Sequence, residues 1–212
     1  FLVKFVSFLT GEELEIMPRR KKDHLMRWGV MGCASIIFAI EGYVYLETPD
    51  TNTPLVISHR GVSNKNGVQN TVQSLEKTAQ LKPDLIEMDV QETKDGQFVM
   101  MHDANLKNLT GINATPQDLT LDELTNTDIY ENGYQTKISS FDAYLERANA
   151  LNQKLLIEIK TSKKDSPQMM DHFLEKYGAT IKKYGHQMQS LDYHVIDKVL
   201  NYDSEIPIYF IL

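Results

Sequence analysis

The chain has 212 residues, enough for one ordinary domain and a little more, and its 42% hydrophobic and 24% charged content excludes a disordered tail, a collagen-like chain and a coiled-coil rod. A formal charge of −7 argues against general nucleic-acid binding, which needs clustered Lys and Arg. One cysteine, Cys33, rules out an intramolecular disulfide and any four-cysteine zinc site, so a metal would have to be held by carboxylates, His or carbonyls.

The charge is unevenly divided. Residues 1–27 carry six basic and four acidic residues, a net of +2, against a net of −9 over residues 28–212. The chain begins at Phe1 rather than Met, which reads as an internal piece of a longer polypeptide or a processed product. Phe1–Leu9 is apolar and has the character of the inner end of an earlier span, followed by a basic cytoplasmic loop. Trp28–Leu46 (WGVMGCASIIFAIEGYVYL) is long enough to cross a hydrocarbon core of about 30 Å as a helix, with Glu41 near one interface and Trp28, Tyr43 and Tyr45 toward the ends. Arg19-Arg20-Lys21-Lys22 and Arg27 precede it, and no basic residue follows until Arg60. The expectation is a transmembrane helix at 28–46 in the cell membrane, with everything after Leu46 on the extracellular side. Residues 47–53 are polar and rich in turn formers, so they read as a linker to a domain over 54–212.

Within that domain two kinds of segment alternate. Leu55–Ser58 reads as a buried strand. Thr71–Leu81 has helical spacing, with Asn70 as its N-cap. Asp84–Gln91 is a strand closed by the Lys94-Asp95-Gly96 turn, and Phe98–Met101 is a strand ending at His102-Asp103. Residues 104–137 are polar and irregular, with a helical turn or two over Asp118–Leu124. Helix Phe141–Ala150, strand Lys154–Lys160, helix Gln168–Tyr184, weak strand Gln187–Ser190, helix Tyr193–Leu200 and strand Ile206–Leu212 complete the chain. Strands alternating with helices predict an α/β fold with a mainly parallel sheet, in which chemistry gathers at the carboxyl ends of the strands.

Polar residues stand at those ends. His59-Arg60-Gly61 follows the first strand. Glu87 and Asp89 are two apart on the second, so both carboxylates face one way. His102 ends the third, and Glu158 and Lys160 are two apart at the end of the fourth. Three carboxylates make a hard-oxygen site for a divalent cation, Ca2+ or Mg2+. Arg60 and Lys160 offer cations for phosphate oxygens, and two imidazoles offer an acid and a base near neutral pH. Together they point to phosphodiester cleavage. Taken singly, each has a simpler explanation: a capping histidine, a solvated edge strand, a surface ion pair. His24, His172, His186 and His194 are read as structural or surface residues, and the Asn108 and Asn113 sequons as chance matches.

The combination of HRG, E-x-D, HD and E-I-K on successive strands resembles the glycerophosphodiester phosphodiesterase family, over about Leu55–Leu212. The resemblance includes Asn70-Thr71, Asp95-Gly96, Leu109-Thr110-Gly111 and Gln189-Ser190-Leu191-Asp192, and the anchored organisation is similar to the Gram-positive type. It implies a (β/α)8 TIM-barrel-like domain that hydrolyses glycerophosphodiesters to glycerol 3-phosphate and an alcohol. It further implies His59 and His102 as the catalytic pair, Glu87, Asp89 and Glu158 as metal ligands, and Arg60 and Lys160 on the phosphate side. The substrate's own glycerol hydroxyl can attack first, giving a cyclic phosphate that water opens. The implied partners are a small or polymeric glycerophosphodiester and the bilayer, not nucleic acid. Two departures stand out. The family usually has Glu where this chain has Gln69. Residues 54–212 number 159 and hold about six of eight strands, whereas a complete barrel takes about 250 residues, which predicts C-terminal truncation. The alternatives are therefore a non-catalytic remnant or a membrane module that binds phosphodiesters or teichoic-acid-like polymers, and, within the enzyme class, a polyglycerol-phosphate or lysophospholipid substrate.

Overall fold

The computed structural model describes residues 54–212, and the expected transmembrane helix, the basic loop before it and the linker lie outside the described residues. Strands β1 (Ile57–Ser58), β2 (Leu85–Glu92), β6 (Leu155–Ile159), β7 (Gln187–Ser190) and β8 (Ile208–Phe210) run parallel in that order. Helices α1 (Val72–Ala79), α4 (Phe141–Ala150), α5 (Met169–Tyr184) and α6 (Tyr193–Tyr202) alternate with them. This is the TIM-barrel-like α/β arrangement expected, and among the described residues the sheet is open, with β8 at one edge and β1 at the other. Among the described residues no helix is long and apolar enough to cross a membrane.

The third strand departs from the expectation. β3 (Phe98–Met100) is antiparallel to β2, Val90 pairing with Met100 on one edge and with Ile159 on the other. It therefore lies on the β1 side of β2, where β1 has already ended. β2 is eight residues long, overshoots the mouth of the sheet, and returns through the turn at Gly96, whose φ is +69°. The sheet thus has five parallel strands and one antiparallel strand, not six parallel ones.

Period-two alternation sorts the side chains. Ile86, Met88 and Val90 of β2, and Leu155, Ile157 and Ile159 of β6, pack outward against Leu75, Tyr144, Phe173 and Tyr177 of the helices. Phe98, Phe141, Phe173 and Tyr177 form an aromatic knot with centroids 4.7–5.8 Å apart. The opposite face of β2 carries Glu87, Asp89 and Gln91, all buried.

Residues 104–137 are more ordered than their polarity suggests. Short helices α2 (Lys107–Thr110) and α3 (Leu121–Thr125) lead into a hairpin of β4 (Asp128–Glu131) and β5 (Tyr134–Lys137). Its turn is Asn132-Gly133, both at positive φ, the left-handed pair that two-residue hairpin loops require. Val68, Val99, Met101, Leu106, Leu124 and Ile129 form a second core under this excursion. β3 is shared between the two cores, Phe98 and Met100 facing one and Val99 the other.

The caps also differ in detail from the expectation. Thr71, not Asn70, caps α1, its Oγ1 accepting from the Ser74 N–H at 3.2 Å. Asn70 sits at φ +56° and is used elsewhere.

Candidate active site

At the end of β1, His59–Gly61 make a single 3-10 turn. Arg60 lies in the left-handed region at φ +54°, which turns its N–H onto Glu87 Oε2 at 2.8 Å. Gly61 follows at φ +68°, and a Cβ there would stand 2.7 Å from the Tyr144 hydroxyl, so only glycine fits. His59 is left at the open mouth, its side chain 73% exposed and its Nε2 3.9 Å from Glu87 Oε2.

Glu87, Asp89 and Glu158 are buried side by side, each offering one carboxylate oxygen to a set whose members lie within 4.8 Å of one another. Asn70 grips Asp89 twice. Its Nδ2 donates to Asp89 Oδ2 at 2.9 Å, and its Oδ1 accepts from the Asp89 N–H at 3.0 Å. Gln189 Nε2 donates to Glu158 Oε2 at 3.1 Å. Lys160 contacts Glu158 and stands 3.2 Å from Asp89 Oδ1. That approach to Asp89 is off the hydrogen-bonding direction, and Asp89 Oδ1 and Glu87 Oε1 are buried with no hydrogen-bond partner. Two orphaned carboxylate acceptors beside a third carboxylate are what a bound hard cation answers, so these residues fit a divalent ion.

The electrostatics agree. Burial, then the charge of Asp89, pushes Glu87 up to about 7. Burial alone would lower Lys160, but its contacts with Glu158 and Asp89 outweigh this and keep its ammonium above the ordinary value. Burial and the neighbouring Arg60 charge hold His59 below the usual histidine value, so it is neutral at pH 7. Under the cluster the Tyr144 hydroxyl is fully buried and unpartnered, and burial together with Glu87 and Asp89 pushes it up.

His102 arrives from the opposite direction, on the antiparallel β3. Gln91 anchors the backbone there, its Nε2 donating to Met101 O at 2.9 Å and Asp103 O at 3.0 Å. Arg60 Nη2 lies 2.8 Å from His102 Nε2, and His102 Nδ1 lies 2.8 Å from Asp103 Oδ1. A guanidinium only donates, so the bonding pattern assigns the lone pair to Nε2 and the proton to Nδ1.

The glycerophosphoryl diester phosphodiesterase family model matches residues 59–208. The chain belongs to this family. Family relatives include human lysophospholipase D GDPD1, 28% identical over 171 residues, covering 74% of this chain and 51% of that protein. A Caldanaerobacter subterraneus glycerophosphodiester phosphodiesterase is 42% identical over 74 residues, 35% of this chain and 30% of that one. The chain thus spans about half the length of the human, mouse and rat lysophospholipase D GDPD1 proteins it matches. Among solved structures, an Oleispira antarctica phosphodiesterase in complex with the product sn-glycerol-3-phosphate shares the fold with a TM-score of 0.62 at 22% identity, covering 73% of this chain and 64% of that chain.

All seven residues singled out in the sequence converge at this mouth: His59, Arg60, Glu87, Asp89, His102, Glu158 and Lys160. Asn70, Gln91, Asp103 and Gln189 join them through hydrogen bonds that strand and helix periodicity does not reveal. Two other histidines stay outside it. His186 is buried at the start of β6, and His172 packs 5.9 Å from the Phe98 ring.

Proposed function

We propose that this chain carries the active site of a divalent-cation-dependent glycerophosphodiester phosphodiesterase, releasing glycerol 3-phosphate and an alcohol. The observation that carries the reading is the buried Glu87–Asp89–Glu158 cluster with two orphaned carboxylate oxygens, ringed by Arg60, Lys160 and two histidines. Family membership supports it, as does the sn-glycerol-3-phosphate bound to the Oleispira phosphodiesterase.

Glu87, Asp89 and Glu158 would hold Ca2+ or Mg2+, which when bound polarises phosphoryl oxygens and acidifies a neighbouring hydroxyl. The chain's own groups do the rest. Arg60 and Lys160 face the negative charge of the phosphodiester. Cleavage needs one proton taken from the attacking hydroxyl and one given to the leaving alcohol, and the two histidines supply that pair. His59, neutral and exposed at the mouth, is free to accept a proton. His102 takes the opposite part: once Arg60 turns from it to the phosphate, Nε2 is free to carry the proton that goes to the leaving alcohol, and Asp103 stabilises that imidazolium through Nδ1–H.

The apolar run 28–46 and the basic residues before it support an anchored domain on the extracellular side of the cell membrane. A Cys placed at Thr51 should react with a membrane-impermeant thiol reagent on intact cells. Reaction only after lysis excludes that orientation.

The enzymatic test is release of glycerol 3-phosphate from glycerophosphocholine by the full-length protein, with Ca2+ or Mg2+ supplied. His59→Ala should abolish release while leaving the far-UV spectrum unchanged. No release from any glycerophosphodiester, with tight cation-dependent binding retained, favours a phosphodiester-binding module instead. The relatives named lysophospholipase D favour lysophospholipid as a second substrate, compared in the same assay with a polyglycerol-phosphate polymer.

A further inference from the structure

The hairpin β4–β5 returns one carboxylate toward the site. Glu131, the last residue of β4, accepts twice from Gln69: Oε2 from the backbone N–H at 2.8 Å and Oε1 from Nε2 at 2.7 Å. With Nε2 facing Glu131, the Gln69 Oε1 faces the other way and accepts from Arg60 Nη1 at 3.0 Å. The same guanidinium reaches His102 Nε2 through Nη2 at 2.8 Å. Four side chains thus form a relay in which each bond sets the direction of the next.

The hairpin is itself tied down. Asn132 Nδ2 donates to Gly67 O at 3.1 Å, the Lys77 ammonium stands 4.3 Å over the Tyr134 ring, and Ile129 is buried in the second core. Arg60 has a competing partner, since its Nε is 4.0 Å from Asp89 Oδ2. Without a clamp on Nη1, the guanidinium would swing onto the buried carboxylates and leave His102. A neutral amide is a weaker acceptor for Arg60 than a carboxylate, so the amide has to be held from behind.

We propose that Glu131 is a positioning residue of the phosphodiester site: acting through Gln69, it sets the Arg60 guanidinium and thereby the orientation of His102. The inference rests on the hydrolytic reading above. It assigns a role in the reaction to the hairpin, and it explains how a chain with an amide at position 69 keeps a carboxylate behind Arg60.

The test is a reciprocal exchange in the full-length protein. Gln69→Glu sets two carboxylates face to face and should lower kcat/KM on glycerophosphocholine about 10- to 100-fold, the range for a charged hydrogen bond lost. Glu131→Gln leaves one Gln69 donor unanswered and should cost about 3- to 10-fold. The double variant rebuilds every bond with amide and carboxylate exchanged, and should recover to within about threefold of wild type. Losses that simply add in the double variant overturn the proposal. If the wild type releases no product, the hydrolytic reading fails by itself, and the relay is then judged by 15N spectra of His102. Asp103 keeps the proton on Nδ1 throughout, so the reporter is the Nε2 resonance: it should match in the wild type and double variant and shift in Gln69→Glu, where Nε2 loses the Arg60 hydrogen bond. An unchanged His102 spectrum in all three variants overturns the relay whatever the activity.

Discussion

His186 gives this fold a built-in acid sensitivity. The ring lies buried at the base of the sheet, where Nδ1 accepts from the Leu155 N–H at 3.1 Å and Nε2 stands 2.8 Å from Asn149 Oδ1. The first bond requires a lone pair on Nδ1, so the imidazole is neutral and Nε2–H donates to Asn149. Burial, then the charge of Lys154, lowers it to about 4 from the ordinary 6.5. The unfolded chain therefore binds more protons than the folded one between those values. Stability from His186 is fully present above pH 6.5 and is lost as pH falls toward 4. The shift corresponds to about 3 kcal/mol, of which about 2–3 is lost between pH 7.5 and 4.5. Urea unfolding followed by circular dichroism at pH 4.5, 5.5, 6.5 and 7.5 measures it, with His186→Asn as the comparison. That variant keeps an acceptor for Leu155 but cannot titrate. It should be the less stable protein at pH 7.5, by about 1–2 kcal/mol for the lost Asn149 bond and ring packing, and should match or exceed the wild type at pH 4.5. Parallel stability-against-pH curves for the two proteins would refute the reasoning.

Three further outcomes are expected. Glu87→Gln should abolish turnover yet raise cation-free stability at pH 8 by about 2–3 kcal/mol, because it removes a buried charge held at about 7, and by under about 1 kcal/mol at pH 5, as denaturant titrations would show. Ca2+ should raise the melting temperature more at pH 8 than at pH 6, since Glu87 must lose its proton to ligate, and EDTA should cancel the gain; a larger shift at pH 6 counts against the three-carboxylate site. Phe173→Ala, in the middle of the aromatic knot, should cost about 3–5 kcal/mol in a urea melt.

What the sequence made legible follows from periodicity. A strand alternates faces, so the Glu87-x-Asp89 and Glu158-x-Lys160 spacings already put each pair on one side of a sheet, and the intervening Met88 and Ile159 identify the other side as core. Apolar runs between helical stretches were enough for the parallel α/β architecture. The reversal at β3 was harder to see, because a three-residue apolar strand reads the same in either direction and only the length of β2 hints at an overshoot. The hairpin had a usable signal in Asn132-Gly133, masked because β4 and β5 are polar and mostly exposed, so no alternating pattern surrounds it. Asn70 carries two competing local meanings, and what decides between them is Asp89, nineteen residues away. Gln91 continues the Glu87–Asp89 face, but its bonds to the 101–103 backbone depend on the antiparallel return.

That return explains why the site can hold both a carboxylate cluster and a histidine aimed at it. Parallel strands all deliver their ends from below, so Glu87, Asp89, Glu158 and His59 point out of the mouth together. An opposing group must come from chain that has already passed the mouth and turned back. β2 supplies that chain by running to Glu92, and β3 brings His102 down beside Asp89, where the Met101 N–H donates to Asp89 O at 3.1 Å. Such a strand could not stand alone above the barrel with both faces apolar. Residues 104–137 cover its outer face with Leu106, Leu124 and Ile129, and the same excursion carries Glu131 back toward Gln69. Removing the excursion would therefore do more than shorten a loop: it would uncover β3, release His102 and leave Arg60 free to fall onto Asp89.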